Sequence, residues 1–121
     1  MSYQLTITSK PGYLHAVVTG VNTKKNVAGY LDEIQRECKA RDCRRVLIEE
    51  RLEGARLDTL DVFQIAAEGS SRAQGWFTAL AYVDVNAKGT LMKFAETVAA
   101  NRALPVRVFA SVGDAEKWLL E

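Results

Sequence analysis

Arg44-Arg45-Val46-Leu47-Ile48-Glu49-Glu50 is the stretch that decides how this chain folds. Three apolar β-formers stand between a basic pair and an acidic pair, so the segment reads as a short strand that ends abruptly in acid. Val46, Leu47 and Ile48 show no polar alternation. Both faces of such a strand must be covered, as in the interior of a parallel sheet.

Working outward, the residues before it supply one edge of that sheet. Tyr3, Leu5 and Ile7 alternate with Gln4, Thr6 and Thr8, the pattern of a half-buried strand. Lys10-Pro11-Gly12-Tyr13 places Pro and Gly at the central positions of a type II turn. Tyr13 to Thr19 then returns antiparallel, with Leu14, Ala16 and Val18 on one face, Tyr13, His15 and Val17 on the other, and Gly20 as its end. Asn22 or Thr23 caps a helix whose apolar positions Val27, Tyr30, Leu31, Ile34 and Cys38 follow the helical period.

The residues after it repeat a helix-then-strand pattern. Asp58 and Asp61 resemble a helix start, Leu60 to Ala67 supply a broad apolar face, and Gly69 and Gly75 loosen and stop the helix. Trp76 to Val83 reads as a second central strand closed by Asp84. Residues 86–102 read as a helix, and Val106 to Ala110 as a strand nearer an edge. Ser111 with Asp114 caps a last helix docked by Ala115, Trp118 and Leu119. The expected architecture is α/β, one domain over residues 1–121. It has a mostly parallel five-stranded sheet, an antiparallel first strand and four helices.

Composition narrows the function. A net charge of +1 over 121 residues gives no global field for nucleic acid or an acidic membrane, and no basic block appears. Nucleic acid is therefore excluded from the expected partners. No apolar run approaches the roughly 20 residues of a membrane span. Met1 to Thr6 shows no signal-peptide pattern, so the expected location is cytoplasmic. Cys38 and Cys43 are the only cysteines, a poor zinc spacing with His15 far away, and Cys38 reads as a core thiol. No metal or cofactor is expected.

Several stretches resemble the SpoIIAA-like branch of the STAS domain family. They are Arg45-Val46-Leu47-Ile48-Glu49-Glu50 with the Gly-containing loop after it, Leu80-Ala81-Tyr82-Val83-Asp84, and Val106-Arg107-Val108-Phe109 through Asp114 to Leu119. The resemblance implies a small cytoplasmic interaction or regulatory module, with lipid-binding domains among relatives of the same general fold, and the expected function is a non-enzymatic regulatory or protein-interaction domain. Anti-sigma-factor antagonists of that family carry an Asp-Ser phosphorylation motif at the helix start after the third strand. This sequence has Leu57-Asp58-Thr59-Leu60 there. Thr59 is the candidate phosphorylation site, weighed against an ordinary first-turn residue, and phosphate at a helix N-terminus would be well placed.

In open parallel sheets, ligands bind beyond the carboxyl ends of the strands. The rim residues expected to meet a ligand or partner are Lys24, Lys25, Glu50, Glu53, Asp84 and Ser111. Glu50, Glu53 and Asp84 have the makings of a carboxylate cluster. Adjacent Glu49 and Glu50 point to opposite faces, however, and Arg51 and Arg56 lie near enough to neutralise them, so a solvated, ion-paired rim is expected. No residue is assigned a catalytic role. His15 lies mid-strand, away from the rim, and reads as structural or superficial. The expected partner is another protein or a second copy, with Trp76 and Phe77 a conceivable dimer surface. The alternative is a small-molecule or lipid-binding module.

Overall fold

The computed structural model describes residues 3–54, 59–73, 76–84, 96–98, 100–101 and 105–121. Its sheet has five strands: β1 (Tyr3–Lys10), β2 (Tyr13–Val21), β3 (Arg45–Glu53), β4 (Ala79–Asp84) and β5 (Val106–Phe109). They lie side by side in chain order, β1 antiparallel to β2 and the remaining pairs parallel. The helices are α1 (Lys24–Ala40), α2 (Thr59–Ala73), a third helix α3 described at residues 96–98, and α4 (Val112–Leu119). The architecture expected from the sequence is the one observed.

The order follows from local chemistry. Gly12 takes φ +89°, the left-handed conformation that the third residue of a type II turn demands. A side chain there would also press on Leu120, whose Cδ2 lies 3.3 Å from the Cβ position. Thr23 is the α1 N-cap, its side chain accepting from the Asn26 backbone N–H at 3.1 Å. Ser111 does the same for α4, accepting from the Asp114 N–H at 3.2 Å.

Strand alternation splits the core into two layers. On one face Leu14, Ala16, Val18, Val46, Ile48 and Leu80 pack against Val27, Tyr30, Ile34 and Cys38 of α1. On the other, Tyr13, Leu47, Ala81 and Val83 pack against Ala115 and Leu119 of α4. Val46, Leu47 and Ile48 are fully buried, so the uninterrupted apolar run does mark a strand covered on both sides.

Three boundaries differ from the sequence reading. β2 runs through Gly20 to Val21, because Gly20, at φ +136°, pairs with Tyr3 and Leu52 rather than breaking the ladder. β3 does not stop at Glu50 but runs on to Glu53, with Arg51, Leu52 and Glu53 paired to Thr19, Gly20 and Val21 of β2. β4 begins at Ala79, not Trp76. Ahead of it the Arg44 carbonyl accepts the Thr78 N–H at 2.8 Å, and the Trp76 indole donates to the Cys43 carbonyl at 3.4 Å. Trp76 and Phe77 thus pack into the core layer under α1, and Phe77 is buried rather than offered to a second copy. The Asp58 cap, Gly75, and most of the helix read over residues 86–102 lie outside the described residues.

Candidate functional site

β3 carries two adjacent acids, Glu49 and Glu50, and the pleat sends them apart. In register, Val18, Glu50 and Asp84 form one row across β2, β3 and β4, facing α1. Val17, Glu49 and Val83 form the next row, facing the opposite side.

Glu50 is 7% and Asp84 2% exposed, which corrects the expectation of a solvated rim at these positions. The reason is α1. Its Tyr30, wholly buried, comes down over the sheet and donates its hydroxyl proton to Glu50 Oε2, and Tyr82 from β4 donates to the same oxygen. The two phenol oxygens also touch each other. Burial, together with the adjacent Glu50 charge, holds both phenols protonated well above their ordinary range. Two phenolic protons aimed at one buried carboxylate oxygen form a charge-assisted lock between α1, β3 and β4.

Glu49 lies on the other face, between His15 Nε2 at 3.0 Å and Arg51 Nε at 2.6 Å. Burial alone would raise its carboxyl pKa. The hydrogen bonds and charges of Arg51 and His15 outweigh that and hold it below the usual value. The expected opposition of Glu49 and Glu50, and the neutralising role of Arg51, are therefore observed. His15 is a half-buried partner of Glu49 on a strand face, with no place at the rim.

The other expected rim residues are scattered. Lys24 donates to Gln64 Oε1 and lies 3.9 Å from Asp61, which ties the start of α1 to the first turns of α2. Lys25 and Glu53 are exposed, and the Glu53 carbonyl accepts the Asn22 N–H at 2.7 Å. Ser111 follows β5 at the far sheet edge and serves as the α4 cap, so it does not join Lys24. Thr59 opens α2, and its side chain lies outside the described residues.

Beside the Lys24 junction stand large apolar side chains in solvent. Leu60 is 63% exposed, Val21 54% and Phe63 38%. Leu60, Phe63 and Gln64 are spaced three and four apart on α2, so they share one side of it. On β2, the Val21 carbonyl accepts the Asn26 amide two residues along from Lys24, at 2.9 Å. The sequence reading assigned Leu60 to a buried face and missed Tyr30, Tyr82 and Gln64. A tyrosine inside an apolar stripe is the signal for Tyr30, because its hydroxyl must find a buried partner. Nothing local marks Gln64.

Among the described residues no group of three or more His, Cys, Asp or Glu could hold a metal ion. No described helix is long and apolar enough to cross a membrane.

An antiparallel β1 beside four parallel strands in sequential order, with α1 and α4 on opposite faces, gives the chain a SpoIIAA-like fold. The fold resembles the crystal structure of an uncharacterised DUF3478-family protein with a SpoIIAA-like fold from Shewanella loihica PV-4. The TM-score is 0.56 and the identity 19%, over 98% of this chain and 94% of that one. No protein-family model and no curated protein matches the sequence. The resemblance read from the sequence is borne out at the level of the fold.

Proposed function

We propose that this chain is a non-enzymatic regulatory domain that docks another protein through the junction of α1 and α2 at the carboxyl rim of the sheet. The observation that carries the reading is the exposure of Leu60, Val21 and Phe63 around the Lys24–Asp61 pair. Apolar anchors beside a charged rim are what a protein partner buries, and their exposure is costly unless something covers them. The nearby acids support the same reading. Glu50 accepts from two phenols and Glu49 from His15 and Arg51, so both are engaged in holding the frame. Two free thiols accord with a reducing, cytoplasmic setting.

The test uses the full chain as bait, wild type beside Leu60→Glu/Phe63→Glu, with native mass spectrometry and gel filtration on the same samples. Both positions are exposed, so the double variant should fold with a stability within about 1 kcal/mol of wild type. Loss of a purified partner, or of a self-associated species, on the double variant is the expected result. A monomer that retains a small molecule or lipid, with no difference between baits, refutes the proposal in favour of a ligand-binding module. An intact mass from native cells that carries no phosphate removes Thr59 as the switch.

A further inference from the structure

At the opposite end of the sheet lies a cleft that the carboxyl-rim reading does not use. It spans about 580 Å³, open to solvent, at the β1–β2 turn and the amino ends of β3 and β4. Lys10, Arg41, Arg44 and Arg45 line it, against one carboxylate, Asp42. Arg41 is committed to Glu37 at 3.2 Å. Among the described residues, Lys10, Arg44 and Arg45 have no carboxylate within 4.0 Å.

These cations are not equally loose. The Arg44 guanidinium stacks on Trp76, 4.0 Å from the ring centroid, and its Nη1 donates to the Trp76 carbonyl at 3.0 Å. Arg45 donates to the Leu119 carbonyl at the end of α4. Each contact uses one face or one N–H of a planar group with five donors, which fixes the fork and leaves donors to spare. All three side chains line the same cleft, Lys10 at the β1–β2 turn and the two arginines at the start of β3. Two guanidinium groups and an ammonium around one cleft supply the charge and the several donors that a phosphate takes up more fully than a lone carboxylate does.

We propose that this cleft binds a small phosphate-bearing molecule, with Arg44 and Arg45 holding the phosphate and Lys10 adding charge. A nucleic-acid backbone is disfavoured because the chain's net charge is +1 and the basic residues form a cluster rather than a track. The inference is independent of the docking surface at the other end of the sheet.

The test titrates the isotope-labelled full chain with inorganic phosphate and pyrophosphate, against sodium chloride of matched ionic strength, and reads amide shifts. Saturable shifts confined to Ser9, Lys10 and residues 41–45, tighter for pyrophosphate, are expected. Arg44→Gln should weaken pyrophosphate by about ten-fold, the loss of a charge-assisted bond. If Arg44→Gln does not fold, Lys10→Gln, at an exposed position, should weaken binding by about three-fold. The proposal fails if chloride gives the same shifts, if the substitutions leave binding unchanged, or if a single-stranded oligonucleotide binds more tightly per phosphate than pyrophosphate.

Discussion

Tyr82→Phe removes one atom from the centre of the molecule and tests the lock around Glu50. In the folded protein that hydroxyl donates to Glu50 Oε2, and the carboxylate is 7% exposed, so water cannot freely replace the lost donor. A hydrogen bond to a charged group contributes about 1.5–3 kcal/mol, against about 0.5–1.5 kcal/mol for a neutral pair. For 121 residues at about 2.1 cal/mol/K each, the unfolding entropy is roughly 0.25 kcal/mol/K, so the expected fall in Tm is about 6–12 °C. Thermal and urea unfolding followed by circular dichroism read it directly. The same substitution in a Glu50→Gln background should cost less by about 1 kcal/mol or more, because the acceptor no longer carries a charge. A Tyr82→Phe protein within about 0.5 kcal/mol of wild type would refute the lock, as would an equal cost in both backgrounds.

Alkaline titration should find all four phenols raised above their ordinary value. Tyr3 and Tyr13 are pushed up to about 12 by desolvation and by their bonds to Glu33 and Glu116, and Tyr30 and Tyr82 lie well above the ordinary value. Unfolded phenols ionise near 10, so above pH 10 the folded state holds more protons and stability falls as pH rises. For Tyr3 and Tyr13 that loss runs from 10 to about 12. Ultraviolet absorbance should show no phenolate step near pH 10 until the chain unfolds, and a step in the folded protein there would contradict it. For the thiols, native protein should take up one equivalent of iodoacetamide quickly, at Cys43. Cys38 is fully buried and its thiol pushed up to about 12 by desolvation, so its labelling should wait for unfolding. Peptide mapping distinguishes the two.

Much of this fold can be read locally. The strand faces of β1 and β2 follow from alternation, the turn at Gly12 from its neighbours, and the caps at Thr23 and Ser111 from side chains that serve backbone donors three residues on. The Trp76 boundary is not local, because what stops the strand is the Arg44 carbonyl, more than thirty residues earlier. The burial of Glu50 is hidden for the same reason. Two acids at the end of a strand look solvated until Tyr30, twenty residues upstream, is laid across one of them. Leu60 fails in the opposite direction. It fits the apolar period of α2, but period alone does not say where the covered arc of a helix ends.

The two ends of β3 therefore exchange the roles that charge alone suggests. At the carboxyl end Glu49 and Glu50 look like chemistry, but His15 and Arg51 engage one and Tyr30 and Tyr82 the other. At the amino end Arg44 and Arg45 look like mere flanks, but neither has an acidic partner among the described residues. An acid already paired inside the fold acts through stability, whereas a fixed and unpaired guanidinium keeps its donors for something else. Substitutions at Glu50 should accordingly register in unfolding measurements, and those at Arg44 in anion binding with the fold intact. A Glu50→Gln protein of unchanged stability, paired with an Arg44→Gln protein that melts early and binds as before, would reverse that assignment.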